Sequence, residues 1–171
     1  MITRCELPDA ALLRKYSGSE AYTDCFTTEV AQTLSQAQYI EAFYSTWVFK
    51  LERWLLARLV AKPSTDAQAS ALAAGTVDSF AAWHVEGRTA EQLLMCDFNE
   101  RTRSWLMSAA MQVGGAMGTR LYFGSAVVPV INPRSGLPEM GRVFRALLGF
   151  HKLYSRVLLS VAAARLRRTA G

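Results

Sequence analysis

The stretch "RTRSWLMSAAMQVGGAMGTRLYFGSAVVPV" (residues 101–130) decides the fold of this chain. Polar and apolar residues alternate through 101–113 and again through 119–130, as they do in strands whose two faces differ. The link "GGAMG" (114–118) has no helix after it, so it predicts a hairpin turn rather than a phosphate-binding loop. The stretch therefore predicts two long antiparallel strands that lie side by side.

Three further segments extend this pattern toward the N-terminus. "DSFAAWHVEGR" (78–88) and "AEQLLMCDF" (90–98) predict two earlier strands, with short turns around Gly87 and at "DFNE". "AYTDCFTTEV" (21–30), rich in threonine and aromatic residues, predicts a first strand that is separate in sequence. The sequence thus predicts five strands, four of them in a consecutive meander.

Helical patterns fill the rest of the chain. Apolar residues at steps of three and four predict a long helix over 33–60 that bends near "YSTW" and ends before Pro63. "STDAQASALAAG" (64–75) predicts a short helix with a hydroxyl cap and a glycine stop, and a last helix is predicted over about 141–168. Strands grouped beside helices indicate an α+β fold.

Side-chain alternation predicts which face of each strand points inward. In 101–113 the bulkier set, which contains Arg103, Trp105 and Met107, is expected to face the helices and to leave Leu106 outside. In 78–88, placing Trp83 inward turns His84 and Glu86 toward solvent. In 119–130 the predicted inner set is Leu121, Phe123, Ser125 and Val127. On the last helix, an apolar stripe with Phe144, Leu147, His151 and Tyr154 is expected to face the sheet, with Lys152 and Arg156 opposite.

Composition and charge exclude several classes of function. With 171 residues, 51% of them hydrophobic, we expect a single domain over 1–171, with 1–20 as an N-terminal extension. The net charge of +5 is dispersed except at "RLRR" (165–168), and no basic face carries stacking aromatics, so we expect no nucleic-acid partner. The N-terminus lacks a secretory signal pattern, and the apolar runs are too short to span a bilayer. We therefore expect a cytoplasmic protein with no integral membrane segment.

The cysteines and acidic residues do not form a metal-binding pattern. The three cysteines, Cys5, Cys25 and Cys96, are odd in number and show no CxxC or histidine-rich spacing, so we expect reduced, mostly buried thiols, no metal and no cofactor. His84 and Glu86 share a strand face without a third ligand, so solvated side chains are the expected state. Asp97 is explained as a turn residue. Asp24 lies in the middle of a predicted strand, where aspartate is uncommon, and this predicts a buried, hydrogen-bonded role.

Four segments carry a resemblance to a known superfamily: "YTDCFTTEV", "EAFYSTWVFKLERWLLARLV", "LLMCDFNERTRSWLMSA" and "TRLYFGSAVVP". With the order of elements, they make the chain from about residue 20 resemble the START/polyketide-cyclase (helix-grip, SRPBCC-like) superfamily, in a bacterial branch of unknown function. The resemblance implies an antiparallel sheet wrapped around the long C-terminal helix. It also implies a cavity between them that binds a hydrophobic small molecule or lipid.

The residues expected to line this cavity come from the predicted inner faces. They are Trp83, Trp105, Met107, Phe123, Phe144, Leu147, His151 and Tyr154. The alternative is that these side chains interlock and fill a solid core, because large aromatics and flexible methionines suit either use.

Two other functions remain open at this point. One is a small enzyme of cyclase, dehydratase or hydrolase type with His151 as acid–base group and Tyr154 or Asp24 assisting, since imidazole titrates near neutrality. Against it stands a core histidine held by neighbouring backbone or hydroxyl groups. The other is a homodimerising interaction module that uses the first long helix or the outer sheet face, which is predicted to carry apolar residues including Leu106 and Tyr122.

Overall fold

The computed structural model describes the backbone of residues 1–18, 20–51, 64–131, 136, 138–140 and 142–169, and all of their side chains except 113, 138, 139, 142–151 and 169. The strands are β1 (Thr3–Arg4), β2 (Tyr22–Val30), β3 (Ser79–Phe80), β4 (Trp83–Arg88), β5 (Gln92–Asp97), β6 (Thr102–Val113), β7 (Ala116–Val127), β8 (Val130–Ile131) and β9 (Pro138–Glu139). The helices are a 3-10 turn (Leu12–Tyr16), α1 (Gln36–Tyr44), α2 (Asp66–Ala73) and α3 (Arg142–Thr169), and residues 47–51 are also helical.

Within the described chain, seven strands form one antiparallel sheet in the order β1-β2-β7-β6-β5-β4-β3, and β8 pairs with β9 separately. The seven-stranded sheet has two strands more than the five predicted, for two reasons. The first is that β1 lies in the segment predicted to be an extension. The second is that the predicted strand 78–88 divides at Ala81, whose φ of 54° is left-handed and interrupts the strand.

The hairpin predicted from 101–130 is confirmed. Val113 pairs with Ala116, so the loop consists of Gly114 and Gly115 alone. Their φ angles of 60° and 86° are both positive, which a type I′ turn requires and which only glycine adopts without cost. Because the turn is this tight, β7 begins at Ala116, earlier than the predicted residue 119.

Side-chain caps mark the starts of the two short helices, and a break divides the first predicted helix. Ser35 and Thr65 form capping boxes with Gln38 and Gln68 at the starts of α1 and α2. The predicted bend near "YSTW" is a break, because α1 ends at Tyr44 and helix resumes at 47. Thr46 makes this restart possible by accepting a hydrogen bond from the Phe49 amide at 3.2 Å. The remainder of the predicted helix, 52–60, and Pro63 lie outside the described residues.

The main core lies between the sheet and the helices α1 and α3, which confirms the α+β prediction. Leu106 and Leu121 contribute from the sheet, Phe43 from α1, and Leu158 and Ala162 from α3. The described part of the predicted α3 stripe thus faces inward, while Arg156 is exposed. Lys152, predicted to face water, is half-buried, with its ammonium 6.0 Å from the centre of the Tyr22 ring.

The other face of the sheet is also covered, and this corrects the predicted orientation of β6. Residues 5–16, here called the N-terminal strap, pack over Trp105, which is 0% exposed. Trp105 therefore points away from the helices, and Leu106 points toward them. Side-chain size did not predict the inner face of β6. The bulkier residues Trp105 and Met107 belong to a second core cluster, which the N-terminal strap covers.

Gln92 fixes the strap to the sheet through its buried side-chain amide. Its Oε1 accepts hydrogen bonds from the Trp105 indole and from the Leu12 backbone amide, both at 2.9 Å. Its Nε2 donates to the carbonyl oxygen of Ala10, also at 2.9 Å. One amide thus satisfies a buried tryptophan and two backbone groups of the strap, which would otherwise be costly to bury.

Gly124 leaves the space in which the strap and Trp105 meet. A methyl group there would lie 2.8 Å from Leu13 Cδ2 and 3.0 Å from both the Asp24 carbonyl oxygen and Trp105 Cε3. Contacts this short require the backbone of β2 or the indole to move.

We therefore expect Gly124→Ala to reduce the free energy of unfolding by about 1–3 kcal/mol, because overpacking displaces the strap. Urea denaturation followed by tryptophan fluorescence measures this change. Gly87→Ala is the matched control, since its added methyl group meets Leu12 at an ordinary 3.4 Å and should change stability by less than about 0.5 kcal/mol. Equal stability of the two variants would contradict this account of Gly124.

Candidate functional site

A cavity of about 430 Å³ lies between the sheet and α3. This size is within the range of small-molecule sites, about 300–1,000 Å³. Its lining comes from the end of α1 and the residues after it, from β4, β6 and β7, and from α3. The lining residues that the structure describes are Phe43, Val48, Phe49, Leu51, Trp83, Thr102, Arg103, Ser104, Phe123, Ser125, Tyr154, Ser155 and Leu158.

Five of the thirteen described lining residues are aromatic. Phe43 and Phe123 meet with ring centroids 4.9 Å apart, and Phe49 stands 6.1 Å from Phe43. These rings are fixed by buried contacts within the main core. Leu51 is 53% exposed, so the cavity reaches the surface beside it. The described part of the wall is thus largely apolar and is open beside Leu51.

Apart from Arg103, the polar residues of the described lining carry hydroxyl groups. Thr102, Ser104 and Ser125 come from the sheet, and Tyr154 and Ser155 come from α3. Ser125 and Ser155 are buried. Hydroxyls both donate and accept hydrogen bonds, so the lining suits polar atoms of either kind on a bound molecule.

Asp24 is buried behind Ser125, which confirms the prediction of a buried, hydrogen-bonded aspartate. It is 3% exposed, and its Oδ1 accepts bonds from the Ser125 hydroxyl at 2.6 Å and the Ser125 amide at 3.2 Å. Its Oδ2 accepts a bond from the Tyr22 hydroxyl at 3.1 Å. Burial and the nearby carboxylate raise the pKa of Tyr22, so the phenol remains a donor.

The structure brings together only part of the predicted site. Trp83, Phe123 and Tyr154 line the cavity as predicted. Trp105 and Met107 were wrongly assigned to it, because both belong to the cluster under the N-terminal strap on the opposite face. The side chains of Phe144, Leu147 and His151 lie outside the described residues.

Sequence reasoning missed the contribution of the first helical region. The cavity is also lined by Phe43, Val48, Phe49 and Leu51, for which the apolar pattern predicted only a place in a long helix. The break after Tyr44 turns Val48 and Phe49 toward Phe43. The aromatic residues around "YSTW" were the available signal, since a break inside an aromatic run brings rings from two helical segments together.

A polar cluster joins the strap to the outer face, and it includes the predicted solvated residue Glu86. Arg103 Nε lies 2.8 Å from both Glu86 Oε2 and the Tyr16 hydroxyl, which in turn donates to Glu86 Oε1 at 2.5 Å. Lys15 also pairs with Glu86. Burial alone would raise the pKa of Glu86, but hydrogen bonds from Lys15, Tyr16 and Arg103 outweigh it and lower this pKa to about 2.

Other candidate residues have structural roles or are solvated. His84 is exposed, as predicted. Asp97 accepts hydrogen bonds from the amides of Arg101 and Thr102 at 2.7 and 2.9 Å, which confirms its turn role. In the described part of the chain, no three His, Cys, Asp or Glu side chains converge as metal ligands would.

No described helix has the length and apolar character needed to cross a membrane. The chain matches no model of a known protein family and no curated protein.

The lowered pKa of Glu86 predicts how stability depends on pH. The carboxyl titrates near 4.5 ordinarily and near 2 in the folded protein, so its stabilisation is present above about pH 4.5 and is lost as the pH falls toward 2. We expect Glu86→Gln to be about 1–2 kcal/mol less stable than the parent at about pH 7, with a smaller difference at about pH 3. Urea denaturation at the two pH values measures this.

Glu29→Gln is the control for the Glu86 experiment. Glu29 pairs with Arg120 at 2.7 Å, but both side chains are at least 40% exposed, so its loss should change stability by less than about 0.5 kcal/mol. A Glu86→Gln protein as stable as the parent at neutral pH would show that the cluster does not anchor the strap.

Proposed function

We propose that this protein binds an uncharged, largely apolar small molecule in the cavity between the sheet and α3. The observation that carries the proposal is the composition of the lining, which pairs an aromatic wall with scattered hydroxyl groups. Such a wall stabilises apolar surface removed from water, and the hydroxyls orient a few polar atoms.

The charges near the cavity favour a neutral ligand. The Arg103 guanidinium is held by Glu86 and Tyr16. The Asp24 carboxylate lies behind Ser125 and accepts bonds from Ser125 and Tyr22. Since both of these groups are engaged with protein partners, a ligand ion would lose its hydration without gaining a counter-charge from the part of the lining that the structure describes.

The resemblance to the START/polyketide-cyclase superfamily supports the same proposal. That superfamily binds hydrophobic molecules between a sheet and a C-terminal helix, and the antiparallel sheet and α3 of this chain share that layout. We also propose that the chain belongs to a bacterial branch of this superfamily. A lipid as the ligand and a cytoplasmic location are further parts of the same proposal.

The other two functions have less support. For the enzyme, Tyr154 lines the cavity and Asp24 lies directly behind Ser125, but both carboxylate oxygens of Asp24 accept hydrogen bonds from protein groups. For dimerisation through the sheet, Leu106 lies in the main core, which is a correction, and Tyr122 packs in the cluster under the strap.

Two substitutions on the same strand test the cavity. Ser104→Phe places a ring in the cavity, and Met107→Phe places the same ring on the opposite face of β6. With the uncharged dye Nile red as probe, we expect Ser104→Phe to weaken binding about tenfold or more, which corresponds to about 1.4 kcal/mol. Met107→Phe should bind as the parent does.

Fluorescence titration measures both affinities, and circular dichroism checks that each variant is folded. Native mass spectrometry of the protein as purified then shows whether an endogenous molecule is bound. If Ser104→Phe binds the dye as tightly as the parent, the ligand does not occupy this cavity.

A further inference from the structure

Two of the three cysteines lie side by side at the start of the N-terminal strap. In the β1–β2 pairing, Thr3 is opposite Thr27 and Arg4 is opposite Phe26, so the next position sets Cys5 opposite Cys25. The Cys5 amide donates to the Cys25 carbonyl oxygen at 3.0 Å, and the two Sγ atoms are 3.3 Å apart. Hydrogen-bonded antiparallel pairs have Cα atoms about 5.5 Å apart, a separation that a disulfide spans.

One member of the pair is open to small molecules. Cys5 is partly exposed, whereas Cys25 is 2% exposed. Both line a surface hollow of about 840 Å³ that also includes Arg4 and Arg14. A small oxidant that enters this hollow therefore meets the sulfur of Cys5 before that of Cys25.

We propose that Cys5 and Cys25 are a reversible oxidation site, at which a hydroperoxide converts the two thiols into a disulfide. The Cys5 thiolate attacks the peroxide oxygen, so that an S–O bond forms, the O–O bond breaks, and the departing oxygen takes a proton to leave as water or an alcohol. The Cys25 sulfur, losing its proton, then attacks Cys5, so that the S–S bond forms and hydroxide leaves as water. The two thiols supply the two electrons that reduce the peroxide.

The surroundings fit this division of roles. The hydrogen bond between the two sulfurs lowers the pKa of the Cys5 thiol, and the Arg120 charge acts in the same direction. The contact with Cys5 and burial raise the pKa of Cys25, so it remains protonated until Cys5 has reacted. Burial also raises the pKa of Cys96, to about 11, so Cys96 is less suited than Cys5 to react first with peroxide in water.

The disulfide would fix the strap to the sheet. Cys5 and Cys25 are 20 positions apart, and the closed loop contains the strap that covers Trp105. Because a cross-link restricts the unfolded chain, oxidation of the folded protein should raise its thermal midpoint by about 5–10 °C.

The experiment treats the full chain with hydrogen peroxide and follows intact mass, tryptic peptides and thermal unfolding. We expect the mass to fall by two hydrogen atoms, a cross-linked pair of peptides that contain Cys5 and Cys25, and the rise in thermal midpoint. Dithiothreitol should reverse all three. Peptide mapping uses the parent protein, so the proposal is testable even where a variant fails to fold.

Three variants separate the roles of the cysteines. Cys5→Ser should form no internal cross-link, and Cys25→Ser should stop at a Cys5 sulfenic acid that dimedone traps. Cys96→Ser is the matched control and should behave as the parent does. Oxidation of Cys96 ahead of Cys5, or conversion of Cys5 to sulfinic acid without any cross-link in the parent, would overturn the proposal.

Discussion

The burial of Trp105 on the face of the sheet away from the helices is the constraint on which the rest of the structure depends. A ring of this size at the centre of a sheet requires a cover, and residues 5–16 provide it. Gln92 makes the cover specific, because one amide bonds to the indole and to the strap backbone together. With this face closed by the strap, α1 and α3 are left to cover the other face, and the space between α3 and the sheet is the cavity.

Charged groups, like the two core clusters, are distributed over both faces of the sheet. Two carboxylates, Asp24 and Glu86, lie on opposite faces of the sheet, and each accepts several hydrogen bonds from protein groups. Asp24 ties β2 to β7 through Ser125, and Glu86 ties the strap to β6 through Arg103. Both charges therefore hold the scaffold together, and the aromatic lining of the cavity is left to interact with neutral groups.

Much of the fold could be predicted from local chemistry. The Gly114–Gly115 turn, the helix caps and the break before residue 47 are short-range features, and each is visible in a few letters of sequence. The orientation of β6 was not predictable in this way, because alternation shows that two faces differ but not which cover each one meets. That error moved Trp105 and Met107 into the predicted site, whereas Trp83, Phe123 and Tyr154 were placed correctly.

The position of β2 in the sheet has a consequence for biosynthesis. Its ladder partner is β7, and Thr27 contacts Leu121 across 94 positions of chain. At about 5–20 residues per second, a ribosome needs roughly 5–20 seconds to make that interval. During this time β7 has not been made, so Phe26 and Val30 lack the strand beside which they pack in the main core. The nascent chain thus exposes the apolar residues of β2 for several seconds, a period in which chaperones would shield them.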